Sequence, residues 1–198
     1  MSIDIFEIIM TKQDGRNLRS VNSQKLIVDA CIKLFKAGNL EPTAQQVADE
    51  SGVGIRTVFR QFDEMENLFK SVDAVLSKDY DFEVRYDPSS SFDARLQSTI
   101  SHMNAGYEKH KLIMFMTVSK MWKYEFLRKN YLMYQDLIKS KTEEILPEVL
   151  SFDTESRHLF HASLSFAMWT RLRGQKLNND QLKKAMLRQC LLIANDNK

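Results

Sequence analysis

Apolar residues recur every three or four positions through most of this 198-residue chain. That period marks helices that bury one face. Ser23–Ala37 carries Leu26, Ile27, Ala30, Leu34 and Phe35 on such a stripe. Between Thr43 and Phe69 two short patterns flank Gly52-Val53-Gly54, with Val47, Ala48 and Ser51 in the first and Ile55, Val58, Phe59 and Phe62 in the second. Thr43 followed three residues later by Gln46 is a capping-box start, and Gly52 can end a helix in the left-handed conformation without a Cβ clash. Asp63-x-x-Glu66 opens another pattern with Met65, Leu68, Phe69, Val72, Val75 and Leu76, predicted to run to about Tyr86. Asp87, Pro88 and three serines then break it. Further helices are predicted near Phe92–Lys109, Lys111–Met121, Tyr124–Leu146, Thr154–Arg173 and Asn179–Ala194, with Pro147 and Gly174 marking two stops.

The expected fold is therefore all-α, with a helix-turn-helix unit ahead of a larger helical domain. Residues 1–22 hold an apolar patch (Ile3, Ile5, Phe6, Ile8, Ile9, Met10) and then a polar stretch, and read as a short helix or mobile arm. Residues 23–70 form the helix-turn-helix domain in this reading, and 71–198 the larger domain.

Charge sharpens the question of a partner. The chain has 28 Lys+Arg against 26 Asp+Glu, and residues 1–70 hold nine basic and ten acidic side chains. Phosphate contacts dominate affinity for DNA, so any such binding must rest on where Lys25, Arg56 and Arg60 lie. Cys31 and Cys190 are too few for a disulfide framework and lack Cys-x-x-Cys spacing. With no charged-then-apolar leader and no run of 18 apolar residues, a cytoplasmic protein without a membrane partner is expected. Gly-rich phosphate loops and Ser/His/Asp order are missing. Glu155, His158 and His161 share one helical stretch, but Glu-x-x-His occurs once where a di-iron site uses two. No catalytic residue, metal or cofactor is assigned, and an enzyme is not expected.

The polar side of the second short helix carries Arg56, Thr57, Arg60 and Gln61, which suits a helix lying in the DNA major groove. Thr43-x-x-x-Val47-Ala48, then Gly52-Val53-Gly54-x-x-Thr57-Val58-Phe59-x-x-Phe62 and Leu68, resembles the N-terminal domain of the TetR family of bacterial transcriptional regulators over roughly residues 23–72. The resemblance implies double-stranded DNA as partner. Ile55 and Arg56, with Gln61, would read bases, while Thr43, Thr57 and Arg60 contact phosphates and Gly54 and Phe59 complete the surface. Three positions depart from the family pattern: Gly54 stands where Ser is usual, Phe59 where Tyr reaches a phosphate, and Met65 where Lys is usual.

The resemblance also implies a homodimer and a ligand cavity in the second domain. Its last two helices would form a two-fold interface through Leu159, Ser163, Phe166, Ala167, Thr170, Leu182, Met186, Gln189 and Ile193. Its middle helices would enclose a small apolar or aromatic ligand, for which Met103, Phe115, Met121, Trp122, Tyr131 and Tyr134 are the candidates. The expected activity is ligand-responsive repression at a near-palindromic operator. The alternatives are a helical-bundle enzyme or small-molecule carrier, or a TetR-like protein that has lost DNA binding.

Overall fold

The computed structural model describes the backbone of residues 5–197 and the side chains of residues 18–197. Nine α-helices, two 3-10 turns and no strand make up the described residues, as the period of three to four predicts. The chain divides into two compact units, Met1–Asp79 and Tyr80–Lys198.

The first unit contains α1 (Ile5–Lys36), α2 (Ala44–Ser51), α3 (Ile55–Phe62) and α4 (Met65–Leu76). Helix α1 begins far ahead of Ser23, so the stretch read as a separate arm continues into the same helix from Ile5. Asn22 and Ser23 are of the type that caps a helix, but no proline intervenes and the Ser23 hydroxyl donates to the Arg19 carbonyl within α1 at 2.9 Å. The side chains of the apolar patch Ile3–Met10 lie outside the described residues. Ile27, Cys31 and Phe35 of α1 meet Val47 of α2, Val58 of α3 and Leu68 and Val72 of α4 in a fully buried core, with the Phe35 and Phe69 rings 5.8 Å apart. Burial pushes the Cys31 thiol up to about 12, which keeps it protonated and unreactive at neutral pH.

Helix α4 ends at Leu76, ten residues short of the predicted Tyr86. A 3-10 turn, Ser77–Asp79, follows. From there the exposure alternates: Tyr80, Phe82, Val84 and Tyr86 turn inward while Asp81, Glu83 and Arg85 face water. Tyr80 and Phe82 pack against Tyr134 with centroids 5.3 and 5.8 Å away. His102 Nε2 lies 2.8 Å from the Asp81 carbonyl oxygen, and Lys141 pairs with Glu83 at 3.0 Å. Burial of every second side chain suits a connector and not a helix. The start of α4 also departs from expectation. Glu64 is its N-cap without a side-chain bond, because Asp63 is held at φ 60° as the C-cap of α3.

The second unit contains α5 (Phe92–Lys120), α6 (Glu125–Ile145), α7 (Thr154–Ser163), α8 (Phe166–Gly174) and α9 (Asn179–Asp196). The Ser91 side chain caps α5, which runs unbroken through Lys109-His110-Lys111, where two helices were predicted. A polar triplet without Gly, Pro or a capping residue does not stop a helix. The predicted Thr154–Arg173 helix is instead two. Ser165 caps α8 by accepting from Met168 N, and the Leu164 carbonyl between α7 and α8 accepts from Tyr107 Oη at 2.8 Å. A remote hydroxyl thus satisfies a carbonyl that the interrupted helix leaves over.

Leu96, Ile100, Tyr107, Phe160, Phe166, Trp169, Leu182, Met186 and Cys190 form the buried centre of this unit. Trp169 stacks on Phe166 at 5.5 Å and donates from Nε1 to Asn104 Oδ1 at 3.0 Å. Buried Arg95 donates to the Ile145 carbonyl at 2.6 Å and pairs with Glu148, tying the start of α5 to the end of α6.

Glu143 of α6 links to α7. Its Oε1 accepts from Arg157 Nε at 2.9 Å and lies 2.8 Å from His161 Nε2. Burial alone would raise its carboxyl, but the Arg157 and His161 hydrogen bonds outweigh burial and hold it below the usual carboxylate range. Burial pushes the His161 pKa down from the ordinary 6.5, against the pull of Glu143. Both depressed values have the same sign in linkage: the unfolded chain binds protons first, so stability falls as pH falls. The loss should begin below about pH 6.5 through His161 and continue through the carboxylate range through Glu143. Urea midpoints measured at pH 8, 6 and 4 should decline in that order, and His161→Gln should flatten the upper half of the decline. An equal decline in His161→Gln would assign it to other groups.

Candidate nucleic-acid interface

The site is built from α2, a tight turn and α3. Thr43 starts α2 as a complete capping box: its Oγ1 accepts from Gln46 N at 3.2 Å, while Gln46 Oε1 accepts from Thr43 N at 2.9 Å. Gly52 ends α2 at φ 69°, a left-handed conformation in which an L side chain is strained. The Gly54 carbonyl accepts from Thr57 N at 2.7 Å, but no side chain caps α3, since glycine has none to offer.

Helix α3 is split cleanly by burial. Val58 and Phe62 fix it to the core of the first unit. Ile55, Arg56, Phe59 and Arg60 are exposed together at spacings of one, four and five, so they share one face. That face carries two guanidinium groups one turn apart, and α3 contains no acidic residue. Phe59 is 48% exposed, so its ring is not a core ring. Thr57 is half-buried on the flank.

Gln61 lies on the opposite flank, where its Oε1 accepts from the Ser20 hydroxyl of α1 at 3.1 Å. It therefore does not stand with Ile55 and Arg56 on the exposed face. Gln61 and Arg60 border a cavity of about 700 Å³ between α1, α3 and α4, lined also by Val21, Lys25, Phe62 and Asn67. Ser20 gave no sign of this contact in the sequence, because it joins positions 41 apart.

Nearby charges are partly neutralised. Lys33 pairs with Glu50, Lys70 with Glu66 at 2.8 Å, and Asp49 accepts from Gln45 at 2.7 Å. Lys25 and Lys36 are exposed on α1.

The candidate ligand residues in the second unit are divided between its interior and its surface. Met103 packs against the buried centre, and Phe115 meets Phe166 edge-on at 5.3 Å. Tyr134 is taken up by Tyr80 and Phe82, and Tyr131 is half-buried. Met121 and Trp122 sit at the turn after α5, where Trp122 is 80% exposed. Tyr107, Phe166 and Trp169 pack together in the interior, with ring centroids 5.5 to 5.9 Å apart. A polar cavity of about 650 Å³, lined by Asp81, Glu83, Arg85, Gln97, Ser98 and His102, contains none of the six.

The predicted interface residues divide in two. Ser163, Phe166, Leu182, Met186 and Ile193 are buried within the unit and hold α7, α8 and α9 together, so they offer no surface to a second chain. Thr170 is half-buried, with an Oγ1 that has no hydrogen-bond partner. Leu159, Ala167 and Gln189 are exposed, joined by Ala162 and by Leu192 three residues beyond Gln189. Among the described residues no group of three His, Cys, Asp or Glu side chains is placed to hold a metal, and no helix is long and apolar enough to cross a membrane. No protein-family model matches the chain, and no curated protein is significantly similar to it.

Proposed function

We propose that this chain is a TetR-like transcriptional regulator: a cytoplasmic, non-enzymatic homodimer that represses by occupying an operator, and that responds to a small ligand in its second unit. One observation carries the reading. Arg56 and Arg60 stand exposed on the outer face of α3, while Val58 and Phe62 lock its inner face to the core. A short helix presented in this way after a glycine turn is the geometry that enters a major groove. Arg56 lies nearer the start of α3, where side chains reach base edges, and Arg60 a turn later, where a phosphate is the natural acceptor. Repression follows from occupancy, because a dimer on a promoter excludes polymerase. Ligand control requires the ligand to bind one dimer geometry better than the other.

The two-fold contact in this proposal uses the exposed residues Leu159, Ala162, Gln189 and Leu192 on α7 and α9. Two half-sites of DNA call for such a pairing.

Binding to a mixed-sequence duplex should be measurable at low salt and fall with rising salt, because counterions are released from neutralised phosphates. Absence of any salt-dependent binding by the folded protein would reject the proposal. Phe59→Tyr supplies a second check. The ring is half out of the protein, so a hydroxyl can be added without burying it. One neutral hydrogen bond to phosphate is worth about 0.5–1.5 kcal/mol net, so affinity should rise a few-fold and equally on all sequences. An unchanged affinity would place Phe59 away from the DNA backbone.

A further inference from the structure

We propose that the outer face of α6 is a second self-association surface, which pairs antiparallel with the same face of another copy of this chain. Leu132, Met133 and Leu137 are 49%, 53% and 36% exposed on that helix. Scattered single apolar residues are ordinary on a protein surface, but Met133 and Leu137 stand one turn apart and Leu132 flanks them on the exposed half of α6, which also carries Glu125, Arg128, Lys129 and Asp136. The inner side of α6 is already used, with Leu127, Thr142 and Ile145 buried.

The charges of that face are complementary to themselves in reverse. A two-fold axis passing between Leu132 and Met133 sets each Leu132 against the partner's Met133. The same operation brings Lys129 opposite the partner's Asp136, and both lie near the middle of the exposed face. Opposite charges therefore meet one turn on either side of the Leu132–Met133 pair. Isologous contacts have this form, in which residue i meets j and j meets i. In the free chain Lys129 pairs with Glu125 at 3.2 Å, with both side chains about two-thirds exposed. The added partner costs little to recruit, since such an exposed pair is weak.

One helix of 21 residues is about 31 Å long. A contact of that size falls at the small end of specific interfaces, so the association should be concentration-dependent in the micromolar range. It is separate from the α7 and α9 contact and does not depend on DNA binding.

Sedimentation velocity of the full chain from about 1 to 100 µM is the test. The unmodified protein should double in mass across the range, whichever species it starts from. Lys129→Glu, which sets two acids opposite each other, should remove the doubling, as should Leu132→Glu. The exchange Lys129→Glu with Asp136→Lys restores the pairing and should restore the doubling. Circular dichroism establishes that each variant is folded, and all changed positions are on the surface. A constant mass in the unmodified protein overturns the proposal, as does doubling that Lys129→Glu leaves intact. Loss of doubling without recovery in the exchange variant overturns the antiparallel pairing. None of these outcomes touches the DNA-binding reading, which is scored on duplex affinity.

Discussion

Trp169→Ala should destabilise the protein by about 3–5 kcal/mol, the cost of removing a large buried aromatic and leaving a cavity. Trp169 is 2% exposed, stacks on Phe166 and contacts the Tyr107 ring at 5.9 Å. Its loss also strands the buried Asn104 amide that it bonds. Domains of this size are stable by roughly 5–15 kcal/mol, so the variant should melt well below the unmodified protein or fail to fold. Trp169→Phe separates the two contributions, since it keeps most of the packing and removes only the Nε1 donor. It should cost about 1–3 kcal/mol, the penalty of an unsatisfied buried polar group. Urea unfolding gives both values. A loss under about 1 kcal/mol in Trp169→Ala would mean that the space it leaves can collapse, and that α8 is not anchored there.

Arg56→Ala should lower affinity for the preferred duplex by about 1–3 kcal/mol and flatten the preference at one base position in each half-site. A guanidinium can bond two acceptors on a guanine edge, and Arg56 is exposed in the first turn of α3 with no acidic residue beside it on the helix. Arg60→Ala should behave differently. A phosphate contact carries no sequence information, so affinity should fall on every duplex alike and the salt slope should drop by about one. Titrations of preferred and scrambled duplexes at several salt concentrations distinguish the two patterns. If Arg56→Ala left both affinity and preference unchanged, α3 would not be the reading helix.

The parts of the fold set by local chemistry were legible in the sequence. Thr43 and Gln46 announced the capping box that starts α2, and Gly52 its left-handed end. The period of three to four located most helices and their all-α class. One local signal was missed. Tyr80, Phe82, Val84 and Tyr86 alternate with Asp81, Glu83 and Arg85, a period of two where a helix was predicted to continue. Other departures have non-local causes. The Leu164 carbonyl can leave α7 because Tyr107, 57 residues earlier, satisfies it. Gln61 turns aside because α1 extends back to place Ser20 beside it.

An apolar stripe announces burial but not against what. Leu182, Met186 and Ile193 are apolar at helical spacing and are buried in their own unit, whereas Leu159 and Leu192 have the same spacing and face outward. The methionines and aromatics of the middle helices posed the same ambiguity. Trp122 is exposed at a turn, and Phe115 is half covered by Phe166. For the candidate site, the exposure of Arg56 and Arg60 followed from the period, while Ile55 and Phe59, apolar at the same period, face outward and Gln61 turns aside.

Selection of bound duplexes from a random-sequence pool by the unmodified full chain tests the central claim most directly. The account predicts enrichment of an inverted repeat whose half-site centres lie about 34–36 Å apart, one turn of DNA. It also predicts that Arg56→Ala, carried through the same selection, loses the preference at one symmetric pair of positions. A folded protein that enriches no sequence over the starting pool, and that retains no duplex at low salt, would contradict it.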